Sequence, residues 1–130
     1  MIHGIGTDIV RVARIQAVFQ RFGDRFVRRI LTDDELAEFA RAGRPVHFLA
    51  RRFAAKEAAA KALGTGFRDG LQFRHIGVVH DARGRPLLAF YGPARALTQG
   101  LGIGTGHLSL ADEEDYAIAF VTLLQGPSGP

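Results

Sequence analysis

VHFLARRFAAKEAAAKAL, residues 46–63, is the most strongly helical segment of the chain. It is dense in Ala, the best helix former. Gly43-Arg44-Pro45 breaks the chain before it, and Gly64 supplies a stop after it. Phe48, Leu49, Phe53 and Leu63 flank the alanines and mark it as a buried helix.

Working outward toward the N-terminus, the pattern stays helical. Thr32 with Glu35 three residues on has the spacing of a capping box and starts a helix running to about residue 42. Residues 24–31 read as a short helical piece. Residues 12–22 read as a helix that sets Ile15, Val18, Phe19 and Phe22 on one face and ends at Gly23. Phe19, Phe22 and Phe26 are expected in the core. Residues 2–10 read as a strand in which Ile5, Thr7 and Ile9 alternate with Gly4, Gly6 and Asp8, an alternation that puts Asp8 on the polar side.

Toward the C-terminus the pattern changes to hairpins. A Gly-containing loop covers residues 64–70, and strands at 76–79 and 87–91 flank turn chemistry at 81–86. Pro93 opens a short helix to Gln99, and residues 100–106 read as a loop. Strands at 107–111 and 116–124 enclose a turn. Helices mainly in the N-terminal half, packed on an antiparallel sheet, predict an α+β fold. One domain is expected over 1–125, with 126–130, GPSGP, a disordered tail.

The 130 residues suffice for a single core, and 47% apolar with 23% charged residues is ordinary globular usage. Cys is absent, which excludes disulfides, thiolate metal sites and a Cys nucleophile. The opening MIHGIGTDIV has no basic segment followed by an apolar one. The longest apolar run, at 116–124, falls short of the roughly 20 residues that span a bilayer. These readings predict a soluble, cytoplasmic protein with no membrane partner. Of the 17 basic residues 15 are Arg, and residues 1–68 carry 13 bases against 7 acids, whereas 69–130 carry 4 against 6. The basic excess therefore belongs to the N-terminal half, and guanidinium groups favour partners bearing phosphate or carboxylate.

The glycines carry no nucleotide loop: no G-x-G-x-x-G match fits, Gly-Lys does not occur, and no helix follows Gly100, Gly102, Gly104 and Gly106. Glu57 and Lys61 are sharper. At i and i+4 they share one helix face. They read either as a solvated ion pair or as working groups on a buried helix. Lys56 and Lys61, both on this helix, are the only lysines in the chain. Asp8 suits a strand end, and with Glu57 it could hold a divalent cation through oxygen. His107 follows the glycine loop, while His3, His47, His75 and His80 show no partner pattern. Arg11, Arg14, Arg21, Arg25, Arg28 and Arg29 crowd the first helical region without exposed aromatic residues between them, which favours an acidic protein over nucleic acid.

Three blocks carry a family resemblance. GIGTDIVRVARI, residues 4–15, resembles the G-x-D-x-x-x-x-x-R-I opening of bacterial holo-acyl-carrier-protein synthases. RRFAAKEAAAKALGTG, residues 51–66, is similar to that family's central signature F/W-x-x-K-E-A-x-x-K-A. HLSLADEEDYAIAFV, residues 107–121, resembles its third block. There Ala111-Asp112 stand where many members have Ser or Thr followed by His, so no second histidine receives a role. The blocks occur in the family's order, and the length suits the short, single-domain branch of the phosphopantetheinyl transferases.

The resemblance implies transfer of the 4′-phosphopantetheine arm of coenzyme A to a Ser of apo acyl carrier protein, with adenosine 3′,5′-bisphosphate released, in support of fatty acid biosynthesis. Carried over by motif position, Asp8 and Glu57 would hold Mg²⁺ against the pyrophosphate, and Lys61 would contact phosphate. His107, Ser109 and Arg52 would help to hold coenzyme A. Arg14, Arg21 and Arg25 would meet the acidic carrier protein. The family is described as a homotrimer with active sites between subunits. The partner supplies the Ser nucleophile, which accounts for the lack of a Ser-His-Asp or Cys-His set. Glu57 is the first candidate for the base that takes the Ser proton, and Asp8 the second. Two other readings remain: a small basic RNA-binding module, and a structural oligomer-forming domain.

Overall fold

The computed structural model describes residues 1–127. β1 (Ile2–Arg11) leads into α1 (Val12–Phe22), α2 (Asp24–Ile30), α3 (Asp33–Ala40) and α4 (Pro45–Leu63). A 3-10 turn (Phe73–His75), β2 (Ile76–His80), β3 (Pro86–Phe90), α5 (Gly92–Gly100), β4 (Ile103–Asp112) and β5 (Tyr116–Gln125) follow. The strands form one antiparallel sheet in the order β1-β5-β4-β3-β2. The fold is α+β, as the pattern of helices followed by hairpins predicts.

The local signals act as expected at most joints. The Thr32 hydroxyl accepts from the Glu35 N–H at 3.2 Å while the Glu35 carboxylate accepts from the Thr32 N–H at 2.9 Å, a complete capping box. Gly64 closes α4 at φ 86°, a left-handed conformation that an L side chain resists. No helix among the described residues is long and apolar enough to cross a membrane.

The outcome differs at β1. Gly4, Gly6, Asp8 and Val10 face α4, whereas Ile5 and Ile9 point away and are exposed. The inward face is thus the glycine face, the reverse of what hydrophobic alternation suggests. The reason is close approach. A Cβ on Gly6 would run into the Ala58 carbonyl oxygen, and one on Gly4 into that of Ala62. Paired small residues let the helix backbone settle onto the strand, and Ala54, Ala55, Ala58, Ala59 and Ala62 are buried in the layer this creates. Ala117, Ala119, Val121 and Leu123 of β5 complete it from the sheet side.

Three smaller corrections follow. Phe22 is not in the core but 46% exposed, while Phe19 and Phe26 pack partly buried against it. The glycine loop is shorter than expected, because β4 begins at Ile103 and pairs with β5. Gly126, placed by sequence in a disordered tail, donates its N–H to the Gly102 carbonyl at 2.7 Å. The rest of that segment, 128–130, lies outside the described residues.

Candidate active site

The close seam between β1 and α4 builds the site. Asp8 is the last inward position but one on the strand, and Glu57 and Lys61 lie one turn apart on the helix. The Lys61 ammonium donates to Asp8 Oδ1 at 3.2 Å and to the Thr7 carbonyl at 3.0 Å. Burial pushes the Glu57 carboxyl above the usual carboxylate range, and the nearby charge of Asp8 pushes it further. Lys61 and Arg14 pull it back down. Two carboxylates and one ammonium are therefore gathered on this seam, with the Arg14 guanidinium near enough to act on Glu57. Sequence spacing alone left open whether Asp8 and Glu57 come together.

The donor set fits a magnesium ion. Two crowded carboxylates of like charge favour a cation between them. Among the described residues no group of three or more His, Asp and Glu side chains could hold a metal. An ion on Asp8 and Glu57 would complete its shell from water and substrate phosphate, which is how Mg²⁺ commonly binds.

His107 and Ser109 lie elsewhere. On β4 they are exposed, and their register partners Thr122 and Phe120 point away from α4. They occupy the outer face of the sheet, opposite the seam that holds Asp8, Glu57 and Lys61. That outer face is apolar as well: Ile5, Ile9, Ile118 and Phe120 are each more than two-fifths exposed on it.

Arg52 is not brought to the Asp8 cluster either. It sits on the far side of α4 with its side chain 5% exposed, 3.6 Å from Glu38 Oε2 and 3.8 Å from Glu35 Oε2. Its guanidinium stacks over Phe48 at 4.5 Å, and its Nε is buried with no hydrogen-bond partner among the described residues. It lines a groove of about 600 Å³ with Arg41, Arg44, Arg51 and Glu38, in which Arg44 pairs with Glu114 at 3.0 Å and Arg51 with Asp112 at 3.1 Å.

Arg14 and Arg21 are exposed on α1. Arg25, on α2, borders a groove of about 390 Å³ whose floor is Phe22, Phe26, Phe53 and Phe73. An apolar floor under a guanidinium rim was not legible in the sequence, because Phe53 and Phe73 come from distant segments. The other omission is Glu35. Sequence identifies it only as a capping residue, yet it is fully buried and accepts from Lys56 Nζ at 2.7 Å and from the Val78 N–H at 2.9 Å. The lone signal for this pair is a lysine kept where the chain otherwise uses arginine. His47, read as structural, donates its Nε2–H to the Glu114 carbonyl at 3.1 Å and ties α4 to the β4–β5 turn.

Comparison with known proteins shows the family. The family model described as the 4′-phosphopantetheinyl transferase superfamily matches residues 4–121. A holo-acyl-carrier-protein synthase of Nitrosococcus oceani is 59% identical over 129 residues, covering 99% of this chain and 84% of the relative. The crystal structure of the synthase from Neisseria meningitidis superposes with a TM-score of 0.90 at 53% identity, over 96% of this chain and 100% of that one. The synthase of Bacillus anthracis, solved in complex with CoA (3′,5′-ADP), superposes with a TM-score of 0.80 at 36% identity, over 97% of this chain and 99% of that one. The chain belongs to the 4′-phosphopantetheinyl transferase superfamily. Within that class of enzymes it falls among the bacterial holo-acyl-carrier-protein synthases.

Proposed function

We propose that residues 1–125 form one transferase domain that moves the 4′-phosphopantetheine arm of coenzyme A to a Ser of an acidic apo acyl carrier protein, with Mg²⁺ required. The setting that goes with this chemistry is cytoplasmic fatty acid biosynthesis. The observation that carries the reading is the gathering of Asp8, Glu57 and Lys61 on the seam between β1 and α4.

In the step, the carrier's Ser oxygen bonds to the phosphorus that bears the pantetheine. The bond from that phosphorus to the bridging oxygen breaks, and adenosine 3′,5′-bisphosphate leaves. Such transfers demand positioning and charge neutralisation more than covalent work by the protein. Asp8 and Glu57 would hold Mg²⁺, which when bound neutralises the pyrophosphate oxygens. Lys61, already aimed at Asp8, adds a positive charge at the same place. Glu57, whose carboxyl burial and Asp8 push above the usual carboxylate range, is the first candidate for the base that takes the Ser proton.

His107, Ser109 and Arg52 are assigned to coenzyme A. Within one chain the sheet separates His107 and Ser109 from Asp8, so a complete site requires the outer face of a second copy. The exposed Ile5, Ile9, Ile118 and Phe120 supply an apolar surface for that contact. We therefore infer a homotrimer with active sites between subunits. Arg52 is assigned to the nucleotide end on its motif position, with Arg41 beside it in the same groove. The carrier docks through its acidic groups on Arg14, Arg21 and Arg25, with an apolar residue of its own in the phenylalanine-floored groove.

The test is direct. Incubation with coenzyme A, Mg²⁺ and apo carrier protein should add the arm to the carrier, read by intact mass, and chelation of the metal should stop it. No gain in mass overturns the reading.

A further inference from the structure

We infer that Lys56, acting with Glu35, is a positioning residue for recognition of the carrier protein: it fixes Phe73, the ring on which the apolar floor of the docking groove is built. This rests on the docking reading above and extends it to a residue that touches neither substrate.

The Lys56 ammonium is fully buried and donates three bonds: to Glu35 Oε1 at 2.7 Å, to the Ile76 carbonyl at 2.6 Å and to the Phe73 carbonyl at 3.2 Å. Two of these acceptors are backbone atoms of the segment that carries Phe73. Glu35 in turn accepts from the Val78 N–H at 2.9 Å, so the same pair also holds β2. The 3-10 turn containing Phe73 is held at its ends by the Gln72 N–H to His75 Nδ1 bond at 2.9 Å and by the Tyr91 N–H to the His75 carbonyl at 2.8 Å, and Lys56 supplies the side-chain bond to the Phe73 carbonyl itself. The turn is three residues long and none of them is buried.

Phe73 occupies the centre of an aromatic row. Its ring stacks on Phe53 at 5.3 Å and on Phe67 at 4.0 Å between centroids. Phe53 lies on α4 one turn before Lys56, so the helix grips the turn twice, by ring and by ammonium. Phe73 also lines two adjoining grooves, of about 390 and 410 Å³, that share Arg25 and Arg29 on their rims. Moving the turn would change both grooves together.

The choice of an ion for this task is informative. Burying a charge is costly, and an apolar pair of the same volume can serve stability as well. An ammonium with three directed bonds instead sets the distance between α4 and the turn. Glu57, the next residue, points around the helix toward Asp8. One helix thus carries the catalytic carboxylate on one face and the clamp for the docking floor on another.

The experiment is steady-state transfer by Lys56→Met, which keeps the length of the side chain and removes the three bonds. The KM for apo carrier protein should rise about tenfold or more, while kcat and the KM for coenzyme A stay within about threefold of wild type. A merely structural role would lower the active fraction, reducing kcat at unchanged KM values, and that result overturns the inference. Phe73→Leu, at a half-buried position, keeps it testable if Lys56→Met does not fold. An unchanged carrier KM in Phe73→Leu overturns it too. The double variant should lose no more than the worse single one, because both act through one ring; additive losses would place the Lys56 effect elsewhere. Arg25→Glu separates the two levels of argument. If it leaves the carrier KM unchanged, the docking reading fails; if it raises that KM and Lys56→Met does not, only the present inference fails.

Discussion

Lys61 Nζ lies 3.2 Å from Asp8 Oδ1, across the seam where α4 meets β1. The lysine comes from a helix and the aspartate from a strand, so both are carried on rigid elements. Lys61 is more than half exposed, and its loss should disturb packing little. Lys61→Met is expected to keep a wild-type melting temperature while the transfer rate falls about 10²-fold or more, the usual cost of removing one preorganised positive donor. Single-turnover intact-mass measurements check it. An unaffected rate removes Lys61 from the site.

The Glu57 carboxyl should titrate above its ordinary value of 4.5. Burial raises it first and Asp8 second, so Asp8→Asn should lower it, though not remove the shift. Arg14 stabilises the ionised form, so Arg14→Ala should raise it. Side-chain carboxyl NMR titrations of the three proteins read both signs. In activity, protonation of Glu57 removes the base, so the acid limb of the pH profile should move to higher pH in Arg14→Ala. A move the other way contradicts the pairing.

Gly6→Ala should destabilise the fold severely, by about 3 kcal/mol or more, because the new methyl meets backbone that cannot turn aside. Gly43→Ala is the control, since nothing lies within 4 Å of a Cβ placed there. Urea unfolding of the two variants gives the comparison. Equal stability would mean that α4 does not lie on β1 as closely as described.

The proposed oligomer predicts complementation. Glu57→Gln and His107→Ala should each be inactive alone. Dissociated, mixed in equal amounts and reassembled, they should recover about a quarter of wild-type activity, because random assembly pairs the two intact halves at one interface in four. Failure to recover activity argues for sites complete within one chain. Phe120→Arg, which sets charge in the apolar outer face, should give a monomer by light scattering.

Much of the fold was legible because its signals are local. The Thr32–Glu35 capping box, Gly23 and Gly64 as helix stops, and the Ala-rich run of α4 act within a few residues of themselves. The orientation of β1 was not. Hydrophobic alternation selected the isoleucine face as the inner one, but a glycine face is what an alanine helix needs to come close, and the partner that decides this lies more than fifty residues away. Phe22 went astray for a similar cause: it continues the apolar stripe of α1 and ends beside an open groove.

The sequence by itself determined which chemistry the chain carries. Asp8, Glu57 and Lys61 stand in motif positions that no composition would produce, and residue types with that order are enough to identify a family. Tertiary structure alone decided who meets whom. It joined Asp8 to Lys61 across 53 residues of chain and Glu35 to Lys56 across 21. It also set His107 on the opposite side of the sheet from Glu57. The physical reason is that motif spacing reports only local geometry. Contacts between segments are settled by which faces can approach closely enough to exclude water, and here two glycines against two alanine carbonyls made that choice.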